Sequence, residues 1–141
     1  MYHQNEYNNI VHWFTTFGIF YSLFGLIHKN IINLTSHTIV KVIGISIVFC
    51  SSLIDSEKKN TIVFLSVLFL YNCIFMMLFL DKYLNSYKYS VVFISSILVQ
   101  ELSHMFFDEE AMMYHYDGIF LEDFLTHGMY IVPLMVQLFI E

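Results

Sequence analysis

The chain has 141 residues, of which 57% are hydrophobic, 18% aromatic and only 13% charged. Ordinary soluble domains carry roughly 25% charged residues, and a domain this small cannot bury so much apolar surface internally, so the composition points to lipid as the solvent. Net charge is −6, all six basic residues are lysines and there is no arginine; that excludes a basic stripe for nucleic acid. Cys50 and Cys73 stand alone in apolar runs, which excludes a disulfide framework and reads as two buried thiols.

The N-terminal run Met1 to Asn9 is polar and lacks a cationic start, so insertion is expected to use internal spans. A bilayer core of about 30 Å needs roughly 20 apolar residues in a helix. In chain order the candidates are Ile10 to Ile27, Ile39 to Ile54, Thr61 to Leu80, Tyr89 to Phe107 and Ile119 to Ile140. Lys41 lies near the end of its run, where its amine can snorkel to the interface. Pro133 is the sole proline and is expected to kink the last helix. With no repeat, linker or low-complexity stretch, the expectation is one integral-membrane domain over 1–141. Its fold class is all-α, a polytopic transmembrane bundle of four to five spans.

Short connections make neighbouring spans antiparallel, which sorts the polar residues by face. His3, His12, His104, Asp108, His115 and His127 fall on the N-terminal face, and His28 and His37 on the other. Ten of the twelve carboxylates join the His-rich face with Lys58 and Lys59, whereas Lys29, Lys41, Lys82 and Lys88 mark the opposite one. By the positive-inside rule the His-rich face points away from the cytoplasm.

Ionisable groups at membrane depth are costly and are functional candidates by default. Gln100, His104 and Asp108 follow i, i+4, i+8, while Glu101, His104 and Asp108 follow i, i+3, i+7. Each set is a stripe on one helix face. Asn5, Asn8 and His12 make a similar stripe on the first helix, and Asp123 and His127 are i, i+4 neighbours. For His28 and His37, and for the methionine pairs, packing is the better reading; Asn5 has the alternative of capping its helix. Imidazoles with a carboxylate suit Fe(II), Zn or Mn and leave positions for substrate. H-x-x-H and H-x-x-x-H are both absent, which excludes the dense histidine boxes of membrane di-iron desaturases. Glu101-x-x-His104 occurs once, where di-iron carboxylate bundles need two copies. No G-x-S-x-G, P-loop or G-x-G-x-x-G supports a hydrolase elbow or a nucleotide cradle.

The opening Tyr2-His3-Gln4-Asn5-Glu6-Tyr7-Asn8-Asn9-Ile10-Val11-His12 resembles the signature Y-H-x-N-x-x-N-x-x-x-H. That signature belongs to the family typified by the fungal Fe(II)-dependent 2-hydroxy fatty acid dioxygenase of phytosphingosine degradation. Gln100, His104 and Asp108 resemble its second signature, and Pro133 fits its final span. Three positions depart: Glu6 stands where the family usually has proline, Asp108 where it often has glutamate, and Met112-Met113 where a Pro-Ala pair is expected. The resemblance implies a membrane enzyme of α-oxidation, in the endoplasmic reticulum of a eukaryote or the inner membrane of a bacterium. Its partners would be a long-chain 2-hydroxy fatty acid and O₂, its product the acid one carbon shorter. It further implies His3, His12, His104 and Asp108 as metal ligands, with Asn5, Asn8, Gln100 and Glu101 around them. The alternatives are a non-catalytic metal or proton carrier and a structural zinc protein; a carrier would spread its polar groups through the membrane depth, whereas these crowd one end.

Overall fold

A computed structural model describes residues 6–54 and 57–107, together with 132, 133, 135 and 136. The regular structure among the described residues is all helical: α1 (Glu6–Asn30), α2 (Ser36–Leu53), α3 (Lys59–Leu80), a 3-10 turn at Asp81–Tyr83, and α4 (Ser86–Phe106). Each begins a few residues before its apolar run, because polar residues start the helix. Thr35 and Asn85 cap α2 and α4, their side chains accepting from the amides of Thr38 and Lys88 at 3.4 and 3.0 Å. Capping supplies acceptors to amides that have no partner inside the helix.

Among the described residues, three helical stretches are long and apolar enough to cross a membrane: Tyr7–Asn30, Lys59–Tyr83 and Ser86–Phe106. The run expected over 39–54 forms α2, which falls short of them in apolar length. Large apolar side chains stand outward on all of these helices, with Phe14 76%, Phe64 65% and Phe106 83% exposed. Water would disfavour that surface, and a lipid bilayer is the environment it fits.

Packing is organised around α1, which lies between α4 and α3, while α2 packs on α3. The pairing of α1 with α4 is antiparallel from end to end: His12 meets His104, Thr15 meets Gln100 and Asn30 meets Ser86. Between these ends the helices approach closely at two glycines. A Cβ on Gly18 would overlap Ser96, and one on Gly25 would overlap the ring of Tyr89. Small residues allow this approach, which is how helices gain contact where lipid is as apolar as the side chains. Against α3, aromatic rings carry the interface: Phe69 lies edge-on to Trp13 at 5.3 Å and to Phe17 at 5.9 Å. Cys73 is fully buried beside the Phe17 carbonyl, and Cys50 is buried as well.

The end of α1 is tied to the α3–α4 corner by Asp81. Its carboxylate takes Lys29 Nζ at 2.7 Å and the Tyr89 hydroxyl at 3.3 Å, with His28 Nε2 at 3.7 Å. His28 Nδ1 in turn accepts the Leu34 amide at 3.0 Å. His28 thus closes a loop, and His37 is exposed. Of the run over 119–140, Val132, Pro133, Met135 and Val136 are described, all helical and buried. Val136 packs in a cluster with Cys50, Ile54 and Ile62. Those residues lie towards the end that holds the start of α1. A fifth antiparallel span beginning near 119 would carry residue 136 about 25 Å away from that end. Val136 therefore departs from the register that short loops and hydropathy alone impose.

Candidate metal centre

Asn8, His12, Thr15 and Thr16 recur at helical spacing on α1, and Gln100, Ser103 and His104 do so on α4. Because the two helices run antiparallel, these stripes meet within about two turns of one end of the bundle. His12 is 4% exposed and His104 3%, and their ring centroids lie 4.7 Å apart with the planes at 75°. Asn8 and Thr16 are fully buried beside them. Thr15 Oγ1 donates to Gln100 Oε1 at 3.2 Å and also faces the carbonyls of Val11 and His12, while Ser103 Oγ donates to the Gln100 carbonyl at 2.7 Å. The Thr16 hydroxyl, wholly enclosed, has no hydrogen-bond partner among the described residues. Glu101 is half-buried one residue along from Gln100.

Burying this many polar groups costs free energy unless each is hydrogen-bonded or ligates something, on the order of 1–3 kcal/mol per unsatisfied group. An apolar bundle gathers them at one end, and the rest of the α1–α4 contact is sealed by glycine, serine and tyrosine. The centroid spacing also bears on what the pair can hold. Two imidazoles sharing one ion through nitrogen bonds of about 2.1 Å keep their ring centres roughly 4.6 to 5.3 Å apart, for bond angles between square and tetrahedral. The observed 4.7 Å lies in that interval, and equally in the range of roughly 4.5–7 Å at which rings pack edge to face, the arrangement that planes at 75° describe.

The chain matches no family model, no curated protein and no solved structure. What the site can do must be read from its own side chains.

His12, His104, Asn8 and Gln100, expected to converge from remote segments, are together. His3, Asn5 and Asp108 lie outside the described residues, as do His115, Asp123 and His127. Among the described residues no group of three His, Cys, Asp or Glu side chains is arranged to hold a metal ion. The described part supplies two imidazoles, with a carboxylate three residues before one of them. Thr15, Thr16 and Ser103 were not singled out in the sequence. Thr15 and Thr16 continue the Asn8–His12 stripe by one turn, and that spacing was the available signal. Nothing comparable announced Asp81 and Tyr89, since a tyrosine inside an apolar run carries no mark of the carboxylate it will meet.

Proposed function

We propose that the chain is an Fe(II)-dependent oxygenase of the membrane, acting on long-chain 2-hydroxy fatty acids and returning the acid one carbon shorter. The observation that carries this reading is the buried pair His12 and His104, drawn from opposite ends of the described chain to a 4.7 Å contact. The opening signature and the Gln100-His104-Asp108 spacing agree with it as a resemblance.

His12 and His104 would hold the ion, completed by His3 and Asp108 from the adjoining segments. Bound there, iron supplies a site at which O₂ and the carboxylate and α-oxygen of a 2-hydroxy acid can be brought together, beside the C1–C2 bond. The protein's part is placement and exclusion. Asn8 and Gln100 offer amide donors within the enclosed polar end, suited to a substrate carboxylate. Thr15 holds the Gln100 amide, and Ser103 secures the same turn of α4 through its carbonyl. Surrounding helix packing keeps water from the pair. Outward of the same turns, Phe14, Leu102, Met105 and Phe106 face the bilayer. An amphiphile lying in lipid would reach such a site with its tail still solvated by acyl chains.

The test is direct. Purified chain given Fe(II), O₂ and 2-hydroxypalmitate should release the C15 acid. His12→Ala and His104→Ala should each lose both bound iron and turnover. Iron bound at unit stoichiometry with no C15 acid would sink the enzyme reading and favour a carrier. Zinc in protein purified without added metal, with no response to Fe(II), would favour the structural alternative.

A further inference from the structure

Asn72 is out of place. It lies in the most apolar of the helices, about 20 Å of helix rise from Lys59 and about 17 Å from Tyr83, the ends of its membrane-length stretch, and so near the middle of a hydrocarbon core. Its side chain is exposed on the outer face of the bundle. The amide nitrogen donates to the Leu68 carbonyl one turn back at 2.8 Å. That leaves its second N–H and its carbonyl oxygen towards lipid, which offers neither donor nor acceptor.

The neighbours of Asn72 on that face form a seam. Leu68, Asn72, Phe75 and Phe79 follow i, i+4, i+7, i+11, the spacing of a coiled-coil contact line with one polar core position. All are exposed, while the opposite side of α3 buries Ile62, Ser66, Cys73, Ile74 and Met77.

We infer that this face of α3 is an interface with a second copy of the chain, centred on an Asn72–Asn72 hydrogen bond near the bilayer midplane. The occupant follows from the chemistry. A carboxamide carries both donor and acceptor, so it is its own complement across a two-fold axis. Two copies inserted with the same topology place residue 72 at the same depth, with their α3 helices parallel. Polar side chains join membrane helices in this way, each contact strengthening association by roughly fivefold to thirtyfold. The inference stands apart from the iron reading, because the face lies on a different helix from His12 and His104.

Full-length chain in lipid vesicles, counted by single-molecule photobleaching over a range of protein-to-lipid ratios, should be dimeric. Asn72→Leu should raise the dissociation constant about tenfold, and Asn72→Gln, which keeps the amide, should restore most of the affinity. Helical circular dichroism checks that each variant is folded. Independently of any change at residue 72, Phe75→Cys should cross-link to itself on oxidation. Val91→Cys, exposed on α4, should not, and the buried Cys50 and Cys73 give the background. A monomer at every ratio, a dimer indifferent to Asn72→Leu, or cross-linking at 91 and not at 75 would each overturn the proposal.

Discussion

Gly25 has no side chain where Tyr89 needs room for its ring, and Gly44 has none where nothing stands within 4 Å. The two glycines therefore predict opposite outcomes. Gly25→Ala drives a methyl into the Tyr89 ring and should lower stability by about 1–3 kcal/mol. Gly44→Ala meets no neighbour and should be neutral or stabilise by up to about 1 kcal/mol through the unfolded chain. Thermal unfolding in detergent compares them. At the proposed metal centre, Thr15→Val removes the hydroxyl that reaches Gln100 and keeps the shape. It should leave bound iron in place and lower turnover of the 2-hydroxy acid, measured as C15 acid released per bound iron. At this scale the sequence was informative about His12, His104, Asn8 and Gln100, because a polar group inside an apolar run is conspicuous. Tyr89 and Asn72 were illegible for opposite reasons. One looks like filler until its hydroxyl meets Asp81, and the other looks ordinary until its depth and facing are known.

Helix positions were close to readable, since the first four apolar runs coincide with α1 to α4, with ends differing by a few residues. For α2 and α4 the differences come from caps: Thr35 and Asn85 begin their helices ahead of the apolar residues, and a hydropathy window does not register a side-chain acceptor. Asn85→Ala should cost about 1 kcal/mol of stability, a loss confined to the start of α4. At the same corner Tyr89→Phe deletes the hydroxyl on Asp81 and keeps the ring against Gly25. Its expected cost is about 1 kcal/mol, with iron content unchanged, since the corner lies about 22 Å of helix rise from His104. Unfolding midpoints together with metal analysis separate the two effects; iron lost from Tyr89→Phe would mean that the ends of the bundle are not independent.

Across the whole molecule, low charge and high aromatic content already required a lipid environment, and the outward Phe14, Phe64 and Phe106 give that requirement a location. A bilayer-soluble carbene reagent should label these three and spare Ile62, Ile74 and Tyr89; label at Ile74 would mean that the helices part in the membrane. The C-terminal run was not legible in the same way. Hydropathy supplies a length and short loops supply a direction, but only tertiary packing sets Val136 beside Cys50 and Ile62. The meeting of His12 with His104 was accessible to a topological argument because α1 and α4 obey the alternation from which Val136 departs.

The two notches on α1, where Ser96 and the Tyr89 ring are seated, make the helix pair resemble a toothed rack. Seated teeth do not slide by fractions. Any displacement of α4 along α1 would have to unseat both at once and advance by a whole turn, about 5.4 Å. Such a step would carry His104 off His12 towards Asn8 or Thr16, so the site exists in a single gear.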